Sequence, residues 1–323
     1  MDKIDKILAQ NNIPEDTKRM IGMLSKDGRE ALNSLWDKDS IFWKHAQRVE
    51  IASKFWANPE KYRNLFHYTS QQGMKSILNS HTFRIGSQYF MNDPEENIYV
   101  SKLAEDILKR NERATTQEID DFHKDFRRVK LDTYIWSFTA NDHSQALSRY
   151  GDFALEFENQ KLQEELVNHF DSNVQNFSEY KVGNCYVFPL KVEYNETVQR
   201  EYVGAVIHTW LSAYRNLPID PYDMNEIIND CYKALGLFCM CFKNPLLRQE
   251  EEIRFVLLRK GNDNKLHPDT YIQDRPVLLF KFEPSLLNSI IYSKQVKDIT
   301  KIKDFVVDKG YRNVSVMPTK LPY

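Results

Sequence analysis

The sequence lacks the features of a membrane or secreted protein and has no excess of charge of either sign. The formal net charge of its 323 residues is −2, which gives no bulk attraction to nucleic acid or to an anionic membrane surface. The first residues, MDKIDKILAQNN, are too polar for a secretory signal peptide, and no apolar run is long enough to span a bilayer. These absences predict a cytoplasmic protein without a membrane partner.

Several motifs of nucleotide, metal and hydrolase chemistry are also missing from the sequence. It contains no P-loop, no GxGxxG turn, no HExxH helix and no dense interleaving of aromatic and basic residues. No GxSxG turn surrounds Ser137, so a hydrolase nucleophile is not expected there. ATP hydrolysis, Rossmann-type redox chemistry and zincin chemistry therefore lose most of their support.

Cysteine is scarce, with four residues at Cys185, Cys231, Cys239 and Cys241 and no CxxC pair. Two of them lie in the apolar run LGLFCMCF, which favours buried free thiols. No His or Cys pair at zinc-finger spacing accompanies them, so we expect no metal site. A disulfide is not expected in a reducing compartment.

Aromatic residues are plentiful, at 13% of the chain, which indicates a packed globular protein. Apolar residues recur at three- and four-residue spacing between Ser40 and Trp56, and this spacing predicts a helix. Two long helices are predicted at about 198–215 and 224–242. Short β-branched and aromatic runs predict strands at 65–67, 82–85, 134–138, 153–157, 185–194, 253–258, 277–282, 289–292 and 313–316.

This order of elements predicts an α+β fold in two parts. Residues 1–60 form a helical N-terminal segment, and residues 61–323 form an α+β domain with a helical insertion at about 198–242. No internal repeat and no low-complexity linker separates the parts.

His67, Tyr68 and Thr69 come at the end of the first predicted strand, where binding sites are often built. His67 could hydrogen-bond a ligand hydroxyl, and Tyr89 on the next segment could stack against a planar ring. The alternative is a strand-end histidine whose ring is satisfied by the backbone.

A second polar group follows at Asn92, Asp93, Pro94 and Glu95. The turn presents one amide and carboxylates that could bind a ligand, although Asp before Pro is also a common turn initiator and Glu95 suits a helix N-terminus. Ser137 ends another predicted strand and exposes a hydroxyl.

The densest carboxylate cluster is Glu250-Glu251-Glu252-Ile253-Arg254. In a strand, alternation places Glu250, Glu252 and Arg254 on one face. An arginine beside two carboxylates favours their ionised form, as suits a glutamate that accepts a hydrogen bond from a sugar hydroxyl. The alternative is a surface salt-bridge ladder on an edge strand.

Taken in order, these motifs resemble the bacterial family called domain of unknown function 2971, over about 65–323. The chain departs from the family pattern at Leu147, where a Trp is expected, and at Tyr292-Ser293, where Gly-Pro is expected. The matching residues are His67, Tyr68, Thr69, Asn92, Asp93, Pro94, Glu95, Ser137, Phe138, Tyr150, Gly151, Lys243, Glu250, Glu252, Arg254, Gly310, Tyr311, Asn313, Val314, Lys320, Leu321, Pro322 and Tyr323.

A weaker resemblance links the same fragments to the ADP-ribosyltransferase superfamily of the His-Tyr-Glu type. It implies a central split antiparallel or mixed sheet and NAD as substrate, with no metal. It also implies that His67 holds the adenosine ribose, and that Tyr89 (or, in the alternative, Tyr68) stacks on nicotinamide. Glu252 or Glu250 then binds the nicotinamide-ribose hydroxyl as the catalytic acid.

The leading hypothesis is therefore an NAD-dependent ADP-ribosyltransferase-like enzyme, in a bacterial toxin–antitoxin or anti-phage defence setting. Its acceptor would be a protein or a nucleic acid, and an antitoxin or a second copy of the chain would be its partner. The residues expected to bind the cofactor are His67, Tyr68, Thr69, Tyr89, Asn92, Asp93, Ser137 and Arg254.

Two alternatives stay open. In the first, Asp93, Glu95, Glu250 and Glu252 bind Mg²⁺ or Mn²⁺ in a metal-dependent phosphodiesterase or nuclease. In the second, the chain is a non-catalytic sensor that binds a nucleotide without turning it over.

Overall fold

A computed structural model describes most of the chain. The described residues are 3–91, 95–129, 131–170, 185–259 and 265–321, without the side chains of Glu96 and Asn97. The predicted site residues Asn92 and Asp93 lie outside the described residues, as do Pro94, Pro322 and Tyr323.

The predicted α+β class is confirmed, because 51% of the chain is helical and 22% is strand, with a multi-stranded mixed sheet. Ten strands of this sheet lie within the described residues. They are β1 (Asn64–Thr69), β2 (Thr82–Ser87), β3 (Thr133–Thr139), β4 (Phe153–Glu158), β5 (Cys185–Lys191), β6 (Glu252–Arg259), β7 (Thr270–Ile272), β8 (Arg275–Lys281), β9 (Leu287–Tyr292) and β10 (Ser315–Pro318).

The sheet divides at β3. One edge of β3 pairs with β6 along its whole length, and β6 in turn pairs with β5. The other edge is shared, because β2 pairs with its start at Ile135 while β1 pairs with its end at Thr139. From there the order runs β1, β4, β9, β10 on one side and β2, β8, β7 on the other. All of these pairs are antiparallel except β9 with β10.

The two faces of the sheet differ in chemistry. One face, the aromatic face, carries a close-packed ring cluster that includes Phe83 and Trp136, whose centroids lie 4.1 Å apart. The opposite face, the polar face, carries Tyr68, Glu252 and Arg254. Successive strand residues point to opposite faces, so cross-strand partners identify which side chains are neighbours.

Twelve α-helices are described. They are α1 (Lys3–Leu8), α2 (Glu15–Met23), α3 (Lys26–Ser34), α4 (Ile41–Ala46), α5 (Arg48–Lys54), α6 (Gln71–Ser80), α7 (Glu96–Arg110), α8 (Thr116–Phe126), α9 (Asn159–His169), α10 (Glu196–Asn216), α11 (Pro221–Cys241) and α12 (Ile299–Asp308). The stripe predicted as one helix from Ser40 to Trp56 is interrupted, because Gln47 adopts an extended backbone with ψ of 133°.

Contacts group the chain into two compact units that differ from the division predicted at residue 60. The helical unit comprises 1–54, 93–130 and 195–242, and the sheet unit comprises 55–92, 131–194 and 243–323. The predicted insertion at 198–242 corresponds to α10 and α11. Helices from three separate stretches bury apolar faces on one another, which one-dimensional periodicity cannot reveal.

The helical unit has its own core around α10 and α11. Trp210 is buried and packs edge-on against Phe122 of α8, with centroids 5.1 Å apart. Arg215 Nε donates to Glu118 Oε1 at 2.6 Å. Among the helices that the structure describes, none combines the length and the apolarity needed to cross a membrane.

Candidate functional site

Five charged side chains alternate in sign in a network on the polar face, at the start of β6. Glu252 Oε2 accepts hydrogen bonds from Lys243 Nζ and from Arg254 Nη2, each at 2.9 Å. Lys243 Nζ also donates to Glu250 Oε2 at 2.7 Å, and Arg149 Nη2 donates to Glu250 Oε1 at 2.5 Å. Each carboxylate therefore lies between two cations.

The two carboxylates of this ion network are closed off from solvent. Glu252 is 5% exposed and Glu250 is 2% exposed. Burial raises the pKa of Glu252, but the charges of Arg254 and Lys243, together with the Ser137 hydroxyl, lower it to about 2. Glu252 is thus ionised, with Lys243 and Arg254 both bonded to its Oε2, and both oxygens of Glu250 are paired. Because both carboxylates are buried, the geometry gives no support for either glutamate as a catalytic acid that touches a ligand.

Glu250 joins the same network as Glu252, as predicted, but it is not part of the strand to which the alternation was applied. It ends a 3₁₀ helix that spans Pro245–Glu250, and β6 begins only at Glu252. Glu251 between them has a left-handed backbone with φ of 45°, which breaks the alternation. The predicted neighbourhood of Glu252 and Arg254 does occur, and β6 is an interior strand, so the edge-strand alternative is wrong.

His67 lies on the aromatic face, on the other side of the sheet from Glu252. Its ring centroid is 5.6 Å from that of Phe83 and 5.7 Å from that of Phe138. Nδ1–H donates to the Ser137 carbonyl oxygen at 2.9 Å, so the backbone satisfies that ring nitrogen. Burial lowers the pKa of His67, which favours the neutral form. The structure does not bring the predicted ribose-binding histidine to the predicted acid.

Tyr89 is also far from Glu252. Its hydroxyl accepts a hydrogen bond from the Leu131 backbone N–H at 2.8 Å, just before β3 begins. Glu252 pairs with Thr139 at the other end of β3. At about 3.3 Å per residue, the strand alone separates its two ends by about 20 Å. Tyr89 and Glu252 therefore cannot contact one small ligand together in this structure.

Tyr68 shares the polar face with Glu252 and borders a pocket. Its hydroxyl accepts from the Ser144 backbone N–H at 2.8 Å and donates to the Asn141 carbonyl oxygen at 3.4 Å. Burial raises the pKa of Tyr68 to about 12, so the phenol stays protonated. Thr69 follows, with its backbone packed against Gly151.

The pocket beside Tyr68, which we call the Tyr68 pocket, has a volume of about 180 Å³. That is close to the size that holds one six-membered ring, since an engineered cavity of about 150 Å³ binds benzene. It opens where β1, β4, β9 and β10 meet their loops. Its lining residues are Tyr68, Asp142, Ser148, Gly151, Asp152, Ala154, Ile291, Tyr292, Ser293, Gln295, Thr319 and Leu321.

The lining combines the aromatic rings of Tyr68 and Tyr292 with carboxylates and hydroxyls. Asp142 and Asp152 supply the negative groups, while Ser148, Ser293 and Thr319 supply hydroxyls. Of these lining residues, the sequence motifs predicted Tyr68 but not the two aspartates. The Tyr150-Gly151 turn was a signal for Asp152, which directly follows it, whereas Asp142 lies eight residues before the turn.

The phosphodiesterase or nuclease alternative requires a metal site. Among the residues that the structure describes, no group of three or more His, Cys, Asp and Glu side chains is arranged to hold an ion. Glu95, one of its proposed ligands, is exposed and pairs with Lys102 at 2.7 Å in the helical unit. Asp93 lies outside the described residues. The four cysteines are buried and none forms a disulfide within the described residues, as the apolar context of Cys239 and Cys241 predicts.

Comparisons with protein-family models, with curated proteins and with solved structures found no match. The two family resemblances stay predictions, and the geometry of the sheet unit is the observation that bears on function.

Proposed function

We propose that the sheet unit binds NAD⁺ by its nicotinamide end in the Tyr68 pocket and acts as an ADP-ribosyltransferase-like enzyme. The observation that carries the proposal is a pocket of single-ring size whose lining combines two aromatic residues, Tyr68 and Tyr292, with Asp142 and Asp152. The nicotinamide ring of NAD⁺ is planar and positively charged. An aromatic ring and carboxylates both attract a planar cation.

The same carboxylates suit the reaction. Cleavage of the nicotinamide–ribose bond leaves its electron pair on nicotinamide, which departs neutral, while positive charge develops on the ribose carbon. A fixed carboxylate beside that carbon stabilises the charge. A hydroxyl of the acceptor, or of water, then bonds to the ribose carbon and loses its proton to solvent. In this proposal Asp142 and Asp152 take the part that the sequence resemblance gave to Glu252 and Glu250.

In this proposal Tyr68 stacks on the nicotinamide ring. The sequence resemblance gave this role to Tyr89, with Tyr68 as the alternative. The division of the sheet at β3 is compatible with the split sheet that the superfamily resemblance implies. The defence setting, the macromolecular acceptor and an antitoxin or homo-oligomeric partner rest on family resemblance alone.

The experiment is an assay of nicotinamide release from NAD⁺ by the full chain, followed by chromatography. We expect release by the wild type and its loss in Asp142→Asn. Asp274→Asn is the matched control, because Asp274 is an exposed aspartate outside the pocket lining, on the turn between β7 and β8. Equal release by all three proteins would contradict the role of Asp142. NAD⁺ binding without release would place the chain in the sensor class.

A further inference from the structure

The loop between β3 and β4 forms one wall of the Tyr68 pocket. We call residues 141–151 the pocket wall, and Asp142, Ser148 and Gly151 of this segment line the pocket. Because most of the wall is irregular, its position depends on side-chain contacts rather than on a strand or helix ladder.

Two contacts tie the wall to the residues before β6. Near its start, Asn141 Nδ2 donates to Glu251 Oε2 at 2.9 Å. Near its end, Arg149 Nη2 donates to Glu250 Oε1 at 2.5 Å. Between them the Ser144 backbone N–H donates to the Tyr68 hydroxyl at 2.8 Å.

The two ends of the Arg149–Glu250 pair are held very differently. Glu250 is 2% exposed and is fixed from behind by Lys243, whose Nζ lies 2.7 Å from its other oxygen. The Arg149 side chain is 57% exposed. A buried, immobilised carboxylate thus reaches out to a cation on a surface loop. Because Glu250 is buried and held in place, its ion pair with Arg149 restrains the motion of the pocket wall.

We propose that Arg149 is a positioning residue, whose ion pair with Glu250 holds the pocket wall in the conformation that places Asp142 and Ser148 beside the Tyr68 pocket. The importance of that conformation for NAD⁺ rests on the proposed function, but the positioning itself does not. The ion network beneath the wall is then a support for the site, although its glutamates do not touch the ligand.

The test uses Arg149→Met in the full chain, with two readouts. Hydrogen exchange of the Ser144 amide, which donates to Tyr68, reports on the wall without any ligand, and we expect about tenfold faster exchange. Calorimetry with NAD⁺ reports on the site, and we expect about a tenfold rise in Kd because the wall must be ordered on binding. Arg149→Lys, which keeps the charge, should retain most of the protection.

Lys161→Met is the matched control. Lys161 is 58% exposed and pairs with Glu158 at 2.9 Å, so the substitution removes a similar surface ion pair from α9 of the same unit. It should leave Ser144 exchange and NAD⁺ affinity unchanged.

The outcomes separate this inference from the proposed function. Unchanged Ser144 exchange in Arg149→Met would overturn the positioning role, whatever the ligand data. Faster exchange together with no NAD⁺ binding by the wild type would support the positioning role and reject the proposed ligand. Faster exchange in Lys161→Met as well would also overturn it, because the effect would then not belong to the Glu250 pair.

Discussion

The backbone of Gly151 lies directly against that of Thr69, so that a Cβ placed on Gly151 would come within 2.1 Å of the Thr69 carbonyl carbon. Gly151 also has a φ of 153°, which a side chain disfavours. The end of β1 and the turn before β4 are therefore in contact through their main chains. This contact brings the two motifs His67-Tyr68-Thr69 and Tyr150-Gly151 to one edge of the Tyr68 pocket.

Substitution of Gly151 by Ala should be strongly destabilising. The new methyl group would meet backbone atoms, which cannot rotate away, so we expect the free energy of unfolding to fall by at least about 2 kcal/mol. Urea unfolding measures this change. Gly86→Ala on β2 is the control, because nothing lies within 4 Å of a Cβ at that position. Equal stability of the two variants would mean that β1 and the turn are not packed as described.

Lys243 bridges Glu250 and Glu252, so its removal should be costly. Lys243→Met leaves two buried carboxylates with one cation fewer between them, and we expect a loss of about 3–5 kcal/mol in the free energy of unfolding. The exposed pair removed in Lys161→Met should cost at most about 1 kcal/mol. Similar unfolding midpoints for the two variants would contradict a buried network.

The ionised Glu252 makes the folding stability of the protein fall as the pH becomes acidic. Its folded pKa of about 2 lies below the ordinary value of 4.5, so its contribution is complete above pH 4.5 and is lost as pH falls toward 2. The lowered pKa of Glu252 corresponds to about 3 kcal/mol in the free energy of unfolding at neutral pH. Chemical unfolding at several pH values between 6 and 3 should therefore give a shallower pH dependence for Glu252→Gln than for the wild type. Parallel curves would show that Glu252 is not held ionised.

His67 contributes stability in a different pH range. Its folded pKa is lowered from 6.5 by burial, so the unfolded chain takes up a proton first and stability falls as pH decreases below 6.5. In His67→Gln this part of the pH dependence should disappear, and NAD⁺ affinity of the folded variant should stay close to that of the wild type. A large loss of affinity with an intact fold would instead restore His67 to the ligand site.

Strand alternation predicted the local part of the site well. It placed Glu252 and Arg254 on one face because side chains in an extended chain alternate, and that rule needs no tertiary information. Alternation does not apply to Glu250, because the left-handed backbone of Glu251 ends the strand before it, and periodicity does not reveal such a conformation. Glu250 reaches the same network through Lys243 instead.

The relation between distant motifs could not be read from the sequence. His67 and Glu252 each lie on a strand, but which face each side chain joins depends on strand order and register, which non-local pairing decides. Tyr89 lies not on β2 but in the 3₁₀ turn Gln88–Phe90 after it, and β2 pairs with the end of β3 that lies away from Glu252. Asp152 directly follows the Tyr150-Gly151 turn, but Asp142 sits on a loop whose position is set by tertiary contacts, so no local pattern marked Asp142.

The proposed function depends on binding of the charged nicotinamide ring of NAD⁺ in the Tyr68 pocket. The most direct test is calorimetric measurement of the Kd of the wild-type chain for NAD⁺ and for NADH, whose nicotinamide ring carries no positive charge. We expect NAD⁺ to bind about tenfold or more tightly than NADH, and we expect Asp142→Asn to remove most of this difference. Equal affinity for the two forms, or no binding of either, would contradict it.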